Sequence, residues 1–152
     1  MLIIFGASGD LTARKLIPAL FNLYKGKYLP DNFVVLGASR SKMSDEELRE
    51  KVVTESEFLK KKLSKEEADF IQGFADKIFY ENIGENYNVS YKKLAQRITK
   101  LNEEQGTEGN YIFYLSTPPS LYESIAKNLY DQGLSKEDEG TRKFIVEKPF
   151  GY

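Results

Sequence analysis

The 152-residue sequence predicts a doubly wound α/β fold with a parallel sheet, organised as a single domain. Three observations lead there. Short apolar runs alternate with stretches of helical spacing along the chain. The first run, Leu2-Ile3-Ile4-Phe5, passes directly into a glycine turn that opens onto a helix. The length suits one domain with a sizeable core, and no internal repeat or low-complexity tract interrupts it. This pattern describes a Rossmann-type domain over residues 1–152.

The elements follow in order. Residues 2–5 form the first strand and 6–12 the turn. Leu16, Ile17, Leu20, Phe21, Leu23 and Tyr24 recur at helical spacing over 11–24. Pro18 inside that pattern either kinks the helix or marks its first turn, and Lys25-Gly26-Lys27 suits its end. Phe33-Val34-Val35-Leu36 reads as a second buried strand ending at Gly37. Ser44 and Glu47 have capping-box spacing and start a helix that runs roughly to Glu55. Ser64 and Glu67 repeat that spacing before a helix over 65–74. Residues 77–83 read as a third strand, 91–101 as a helix with Leu94, Ile98 and Leu101 on one face, and 105–110 as a turn. Residues 111–115 are a fourth strand, 119–130 a helix with proline in its first turn, 133–140 a polar loop, and Phe144-Ile145-Val146 a fifth buried strand.

Composition narrows the chemistry. Hydrophobic residues make up 41% and charged residues 30%, which predicts a soluble globular chain rather than a disordered one. No apolar run approaches the roughly 20 residues of a membrane span, and no secretory signal opens the chain. With a net charge of −1 and no basic stripe, nucleic acid is not an expected partner. Lys60-Lys61-Lys62 reads as a solvated helix face. The chain holds no cysteine, which excludes thiol chemistry and disulfides and fits a cytoplasmic setting. It holds no histidine either. Zinc catalysis and Ser-His or Cys-His triads are therefore excluded, no metal is expected, and any chemistry must use Lys, Asp, Glu, Tyr or a cofactor.

In such sheets ligands bind at the carboxyl ends of the strands. The segments there are 6–12, 37–41, 116–119 and 147–151. The first reads as a phosphate cradle, with a plain strand-turn-helix connection as the alternative: Gly6 allows the tight turn, Gly9 lets a phosphate approach the backbone, and the helix that follows aims its unpaired N–H groups at the anion. Its spacing is G-x-x-G with Thr12 three residues on, lacking the third glycine of the G-x-G-x-x-G form. A phosphate loop of the Walker type is disfavoured because no Gly-Lys-Ser/Thr follows. The second strand ends in Gly37-Ala38-Ser39-Arg40-Ser41-Lys42 rather than in a carboxylate. A guanidinium flanked by hydroxyls suits a 2′-phosphate, which predicts NADP over NAD. A solvated arginine in a loop is the alternative. Asp45, the nearest carboxylate, is expected to be consumed at its helix start. After the fifth strand comes Glu147-Lys148-Pro149-Phe150-Gly151. Lys148 would lie in the cleft, where its ammonium stabilises negative charge on a substrate oxygen; an ordinary solvated lysine is the alternative. Ser116-Thr117-Pro118-Pro119 lines the same end of the sheet and is followed by Tyr122, a residue type that on its own is more often packing than ligand.

Four segments together resemble the glucose-6-phosphate dehydrogenase family. They are Gly6-Ala7-Ser8-Gly9-Asp10-Leu11 followed by Lys15-Leu16-Ile17-Pro18-Ala19-Leu20; Ser39-Arg40-Ser41; Tyr114-Leu115-Ser116-Thr117-Pro118-Pro119; and Val146-Glu147-Lys148-Pro149-Phe150-Gly151. The resemblance implies oxidation of the C1 hydroxyl of glucose 6-phosphate to a lactone, with hydride passing to NADP, at the entry of the pentose phosphate pathway. It implies that Gly6, Ala7, Ser8, Gly9, Asp10, Leu11, Thr12 and Ala13 hold the cofactor phosphates and Arg40 the 2′-phosphate. It places Tyr122 near the cofactor and Lys148 against both cofactor and substrate. Asp10 is read as stabilising the helix start, since a carboxylate repels a pyrophosphate.

Family members are several hundred residues long, and their catalytic histidine lies in a His-Tyr-Leu-Gly-Lys segment beyond Glu-Lys-Pro-Phe-Gly. The chain thus looks like the coenzyme-binding domain alone, without the substrate and dimerisation domain through which family members form homo-oligomers. It is expected to be inactive by itself and to expose apolar surface that the second domain would meet. Another NADP-dependent sugar dehydrogenase and a non-catalytic, redox-sensing NADP module are the competing readings.

Overall fold

The computed structural model describes residues 1–60, 64–84, 86–136 and 140–147. Among these, five strands form one parallel sheet: β1 (Leu2–Phe5), β2 (Val35–Ser39), β3 (Ile78–Asn82), β4 (Tyr111–Leu115) and β5 (Arg142–Val146), in the order β3-β2-β1-β4-β5. Leu2 pairs in register with Val35 on one side and Ile112 on the other. The strand order reverses at β1, so the connections after β1 and β4 diverge and leave a crevice between them. The expected doubly wound α/β sheet is the fold observed.

Alternation along the strands divides the core into two faces. Ile3, Phe5, Leu36, Ala38, Phe113 and Leu115 point to one face and pack with Leu94 and Ile98 of α5 (Tyr87–Gln105) and Leu129 of α6 (Tyr122–Asp131). Ile4, Val35, Ile78 and Tyr80 point to the other. There they meet Phe21 of α1 (Ile17–Lys25), Leu48 of α2 (Asp45–Arg49) and Phe74 of α4 (Lys65–Ala75). A short helix, α3 (Glu57–Lys60), adds Leu59 to this second layer. No helix among the described residues is long and apolar enough to cross a membrane.

Several expected boundaries move. The second strand runs over Val35–Ser39, not 33–36, so Gly37 is inside it rather than at its end. A Cβ on Gly37 would lie 2.7 Å from the Ala7 Cβ and 2.9 Å from Leu48 Cδ2. The glycine therefore admits the β1 turn and α2 to the same face of β2. α5 starts at Tyr87, capped by the Asn86 side chain on the Val89 N–H, four residues before the expected start, and ends at Gly106 in a left-handed conformation. The helix after the glycine turn opens as a π-helical turn, Thr12–Leu16, in which the Ile17 N–H reaches the Thr12 carbonyl. That wider turn accommodates Pro18, which lacks an N–H and would crowd a regular turn behind it. α6 is preceded by a 3-10 turn, Pro119–Leu121.

The Ser44–Glu47 capping box forms with both of its hydrogen bonds, Glu47 N–H to Ser44 Oγ at 3.1 Å and Ser44 N–H to Glu47 Oε1 at 3.2 Å. At Ser64 the hydroxyl accepts from the Glu67 N–H, while the Glu67 carboxylate pairs with Lys25 at 3.2 Å. The fifth strand is not buried: Phe144, Ile145 and Val146 are 43%, 43% and 52% exposed. β5 is the outer strand, and among the described residues no helix covers its outward-facing side chains.

Candidate functional site

The carboxyl ends of β1, β2 and β4 enclose a cleft of about 360 Å³. Its floor is the β1 turn, with Gly6, Ser8 and Gly9 on the cleft surface. Gly6 has a φ of +84°, which opens the turn. The Gly6 and Ala7 N–H groups donate to the Ala38 carbonyl, and the Gly9 N–H donates to the Gly6 carbonyl at 3.0 Å. Thr12 is buried and its hydroxyl donates to the Gly6 carbonyl at 3.4 Å. The amides of Ser8 and Asp10 have no backbone partner among the described residues, at the entry of a helix whose first N–H groups are unpaired by construction. Such a turn is suited to an anion.

One wall is the turn after β2. Ser39, Arg40 and Ser41 line the cleft, and the exposed Arg40 guanidinium has no partner among the described residues. The backbone beneath is held from β3. The Tyr80 hydroxyl donates to the Ser41 carbonyl and is hydrogen-bonded to the Ser39 hydroxyl, and the Asn82 side-chain amide donates to the carbonyls of Arg40 and Ser41 at 3.0 and 2.8 Å. Burial raises the Tyr80 pKa, which keeps the phenol a donor. Asp45 is spent differently from the expectation. The helix cap is Ser44, and the Asp45 carboxylate accepts the Tyr80 backbone N–H at 2.7 Å and the Arg97 guanidinium at 2.8 Å. It ties α2, β3 and α5 together and does not face the cleft. The opposite wall carries Ser116, Thr117 and Pro118 after β4, and Ile83, Tyr87 and Tyr91 close the β3 side. The Thr117 hydroxyl is buried without a hydrogen-bond partner among the described residues.

The expected site residues do not all converge. Gly6, Ser8, Gly9 and Arg40 meet in the cleft. Ala7 turns away into the second core layer, against Gly37. Leu11 lies half-buried in the first helical turn. Asp10 and Ala13 border a second depression of about 360 Å³ behind the turn, with Lys51 and Ser56. The Asp10 carboxylate pairs with Arg14 at 2.9 Å within the first helical turns. Tyr122 packs against the first core layer, and its hydroxyl donates to the Glu147 carbonyl at 3.3 Å. The Tyr114 hydroxyl donates to the Glu147 carboxylate at 2.8 Å, so both tyrosines anchor the end of β5. Lys148 and the rest of 148–151, like Lys61 and Lys62 of the basic run, lie outside the described residues.

Tyr80, Asn82, Tyr87 and Tyr91 were not signalled by any local motif. Tyr87 and Tyr91 reach the cleft from α5, and Tyr80 and Asn82 support the Arg40 turn from β3, 39 to 42 positions away. Only the strand order brings them there.

A family model described as glucose-6-phosphate dehydrogenase, NAD binding domain, matches residues 3–152. The chain belongs to this family. Among curated proteins it is 46% identical over 151 residues to a glucose-6-phosphate 1-dehydrogenase of Aggregatibacter actinomycetemcomitans, covering 99% of this chain and 30% of that protein. It is 41% identical over 154 residues to the enzyme of the same name from Treponema pallidum (strain Nichols), covering 100% of this chain and 29% of the other. A solved structure of glucose-6-phosphate dehydrogenase in complex with its substrate glucose-6-phosphate superposes with a TM-score of 0.82 at 35% identity, over 99% of this chain and 30% of that one. The chain thus spans about 30% of the length of its relatives. Family membership agrees with the resemblance carried by the four segments.

Proposed function

We propose that this chain is the coenzyme-binding part of an NADP-dependent dehydrogenase that oxidises the C1 hydroxyl of glucose 6-phosphate to a lactone. In this reading residues 1–152 form the coenzyme domain, which works in the cytoplasm with a substrate and dimerisation domain. The residues present suit a dinucleotide. Unpartnered amides at Ser8 and Asp10 suit its pyrophosphate, and the buried Thr117 hydroxyl leaves a polar atom to be satisfied in the cleft. When bound, the coenzyme supplies the hydride acceptor. The chain's own part is to bind and orient it. Glu147, held at both its carboxylate and its carbonyl, fixes the strand end from which Lys148 would reach substrate.

The observation that carries NADP over NAD is Arg40. Its guanidinium is unpaired among the described residues, on a turn braced by Tyr80 and Asn82, at the rim of the cleft. Charge-assisted contacts to a 2′-phosphate are worth about 1.5–3 kcal/mol. Calorimetric titration of R40M should therefore show NADP affinity falling about 10- to 100-fold, with NAD affinity nearly unchanged. Equal loss for both coenzymes would remove Arg40 from 2′-phosphate recognition.

A further inference from the structure

We infer that Lys51 is a positioning residue for the phosphate-binding turn, raising coenzyme affinity through the Ser8 carbonyl rather than by touching the ligand. The inference rests on the coenzyme reading above. Lys51 belongs to a π-helical turn, Glu50–Thr54, that continues α2 behind the β1 connection. Its ammonium donates to the Ser8 carbonyl at 2.8 Å.

The peptide plane between Ser8 and Gly9 is thereby held on both sides. The Ser8 carbonyl is taken by Lys51, and the Gly9 N–H is taken by the Gly6 carbonyl at 3.0 Å. The plane cannot rotate without losing both bonds. Its orientation governs the direction of the neighbouring Ser8 and Asp10 amides, which are the ones left open for an anion. Donors already aimed at the ligand spare the ordering cost at binding.

Charge reinforces the geometry. Lys51 lines the same depression as Asp10, whose carboxylate is paired with Arg14. Two cations thus flank the one carboxylate in the turn. Lys51 is exposed, so its long-range field is screened by salt, whereas a hydrogen bond that fixes a peptide plane is much less so. Nothing in the local sequence marks Lys51, because the contact spans 43 residues.

The test uses the 152-residue chain, unsubstituted and as K51M and K51R, titrated by NMR with NADP and with adenosine 2′-monophosphate, which has no pyrophosphate. K51M should weaken NADP binding about five-fold and leave adenosine 2′-monophosphate within two-fold, and K51R should restore NADP binding. In the ligand-free K51M chain the Gly9 amide should exchange faster with solvent. Unchanged NADP affinity, or equal loss for both ligands, would overturn the inference. Weaker NADP binding with unaltered Gly9 exchange would mean that Lys51 contacts the ligand directly, which also overturns the positioning role. If the unsubstituted chain binds no NADP, the coenzyme reading fails, while the exchange comparison still decides whether Lys51 holds the turn.

Discussion

Gly6 is the most constrained residue of the turn. With φ at +84°, a Cβ built there would lie 2.1 Å from the Ser116 carbonyl oxygen. Gly106 also has a positive φ, +68°, but nothing lies within 4 Å of its would-be Cβ. The two separate backbone strain from steric exclusion. G106A should cost about 1 kcal/mol, and G6A about 3 kcal/mol, in urea-induced unfolding. Tyr114 gives a pH signature at the same scale. Burial first, and then the Glu147 carboxylate, raise its pKa from 10.0 to about 12. A raised pKa means that the fold favours the neutral phenol. The stability that Tyr114 contributes is therefore complete below about pH 10 and lost as the pH rises towards 12. The gap in unfolding free energy between the unsubstituted chain and Y114F should stay constant up to pH 10 and close above it. The glycine turn itself was legible in the sequence. The anchoring of Glu147 by two tyrosines was not, because Tyr114 and Glu147 are 33 residues apart.

At the scale of elements, local rules decided the starts of helices more often than their ends or the edges of strands. The capping box at Ser44 could be read from spacing because all its bonds fall within three residues. S44A should lower the melting midpoint by an amount corresponding to about 1 kcal/mol, measurable by circular dichroism. The second strand was read two residues early. Its apolar run begins at Phe33, but pairing with β1 and β3 sets its ladder at Val35–Ser39. Gly37 looked like a terminator, and it is tolerated mid-strand because Ala7 and Leu48 fill the space where its side chain would be. The start of α5 was missed because Asn86, Tyr87 and Asn88 break the apolar periodicity, although Asn86 carries a capping side chain.

For the whole molecule, the sheet order decides what the site contains. Reversal at β1 brings the ends of β1, β2 and β4 around one cleft and sends β5 to the edge. β5 keeps its contact with the core through Phe144, whose ring centroid is 5.1 Å from that of Phe113, yet its apolar residues remain open. That open strand suits a chain spanning about 30% of the length of its relatives. The chain contains no histidine to serve as the general base that the family resemblance implies. Incubated with NADP and glucose 6-phosphate, it should therefore give no rise in absorbance at the reduced-nicotinamide band above the rate without protein; a steady rise would contradict the proposed division of labour.

The sequence by itself determined the alternation of strands and helices, the glycine turn after β1, the capping of α2 and that these 152 residues supply neither histidine nor cysteine. Each depends on composition or on contacts within about four residues, so each is written locally. Tertiary structure alone decided that Asp45 faces Arg97 rather than the cleft, that Tyr80 and Asn82 brace the Arg40 turn, and that Lys51 holds Ser8. Those partners are 39 to 52 residues apart, and a sequence cannot rank such contacts until the order of the strands has placed them side by side.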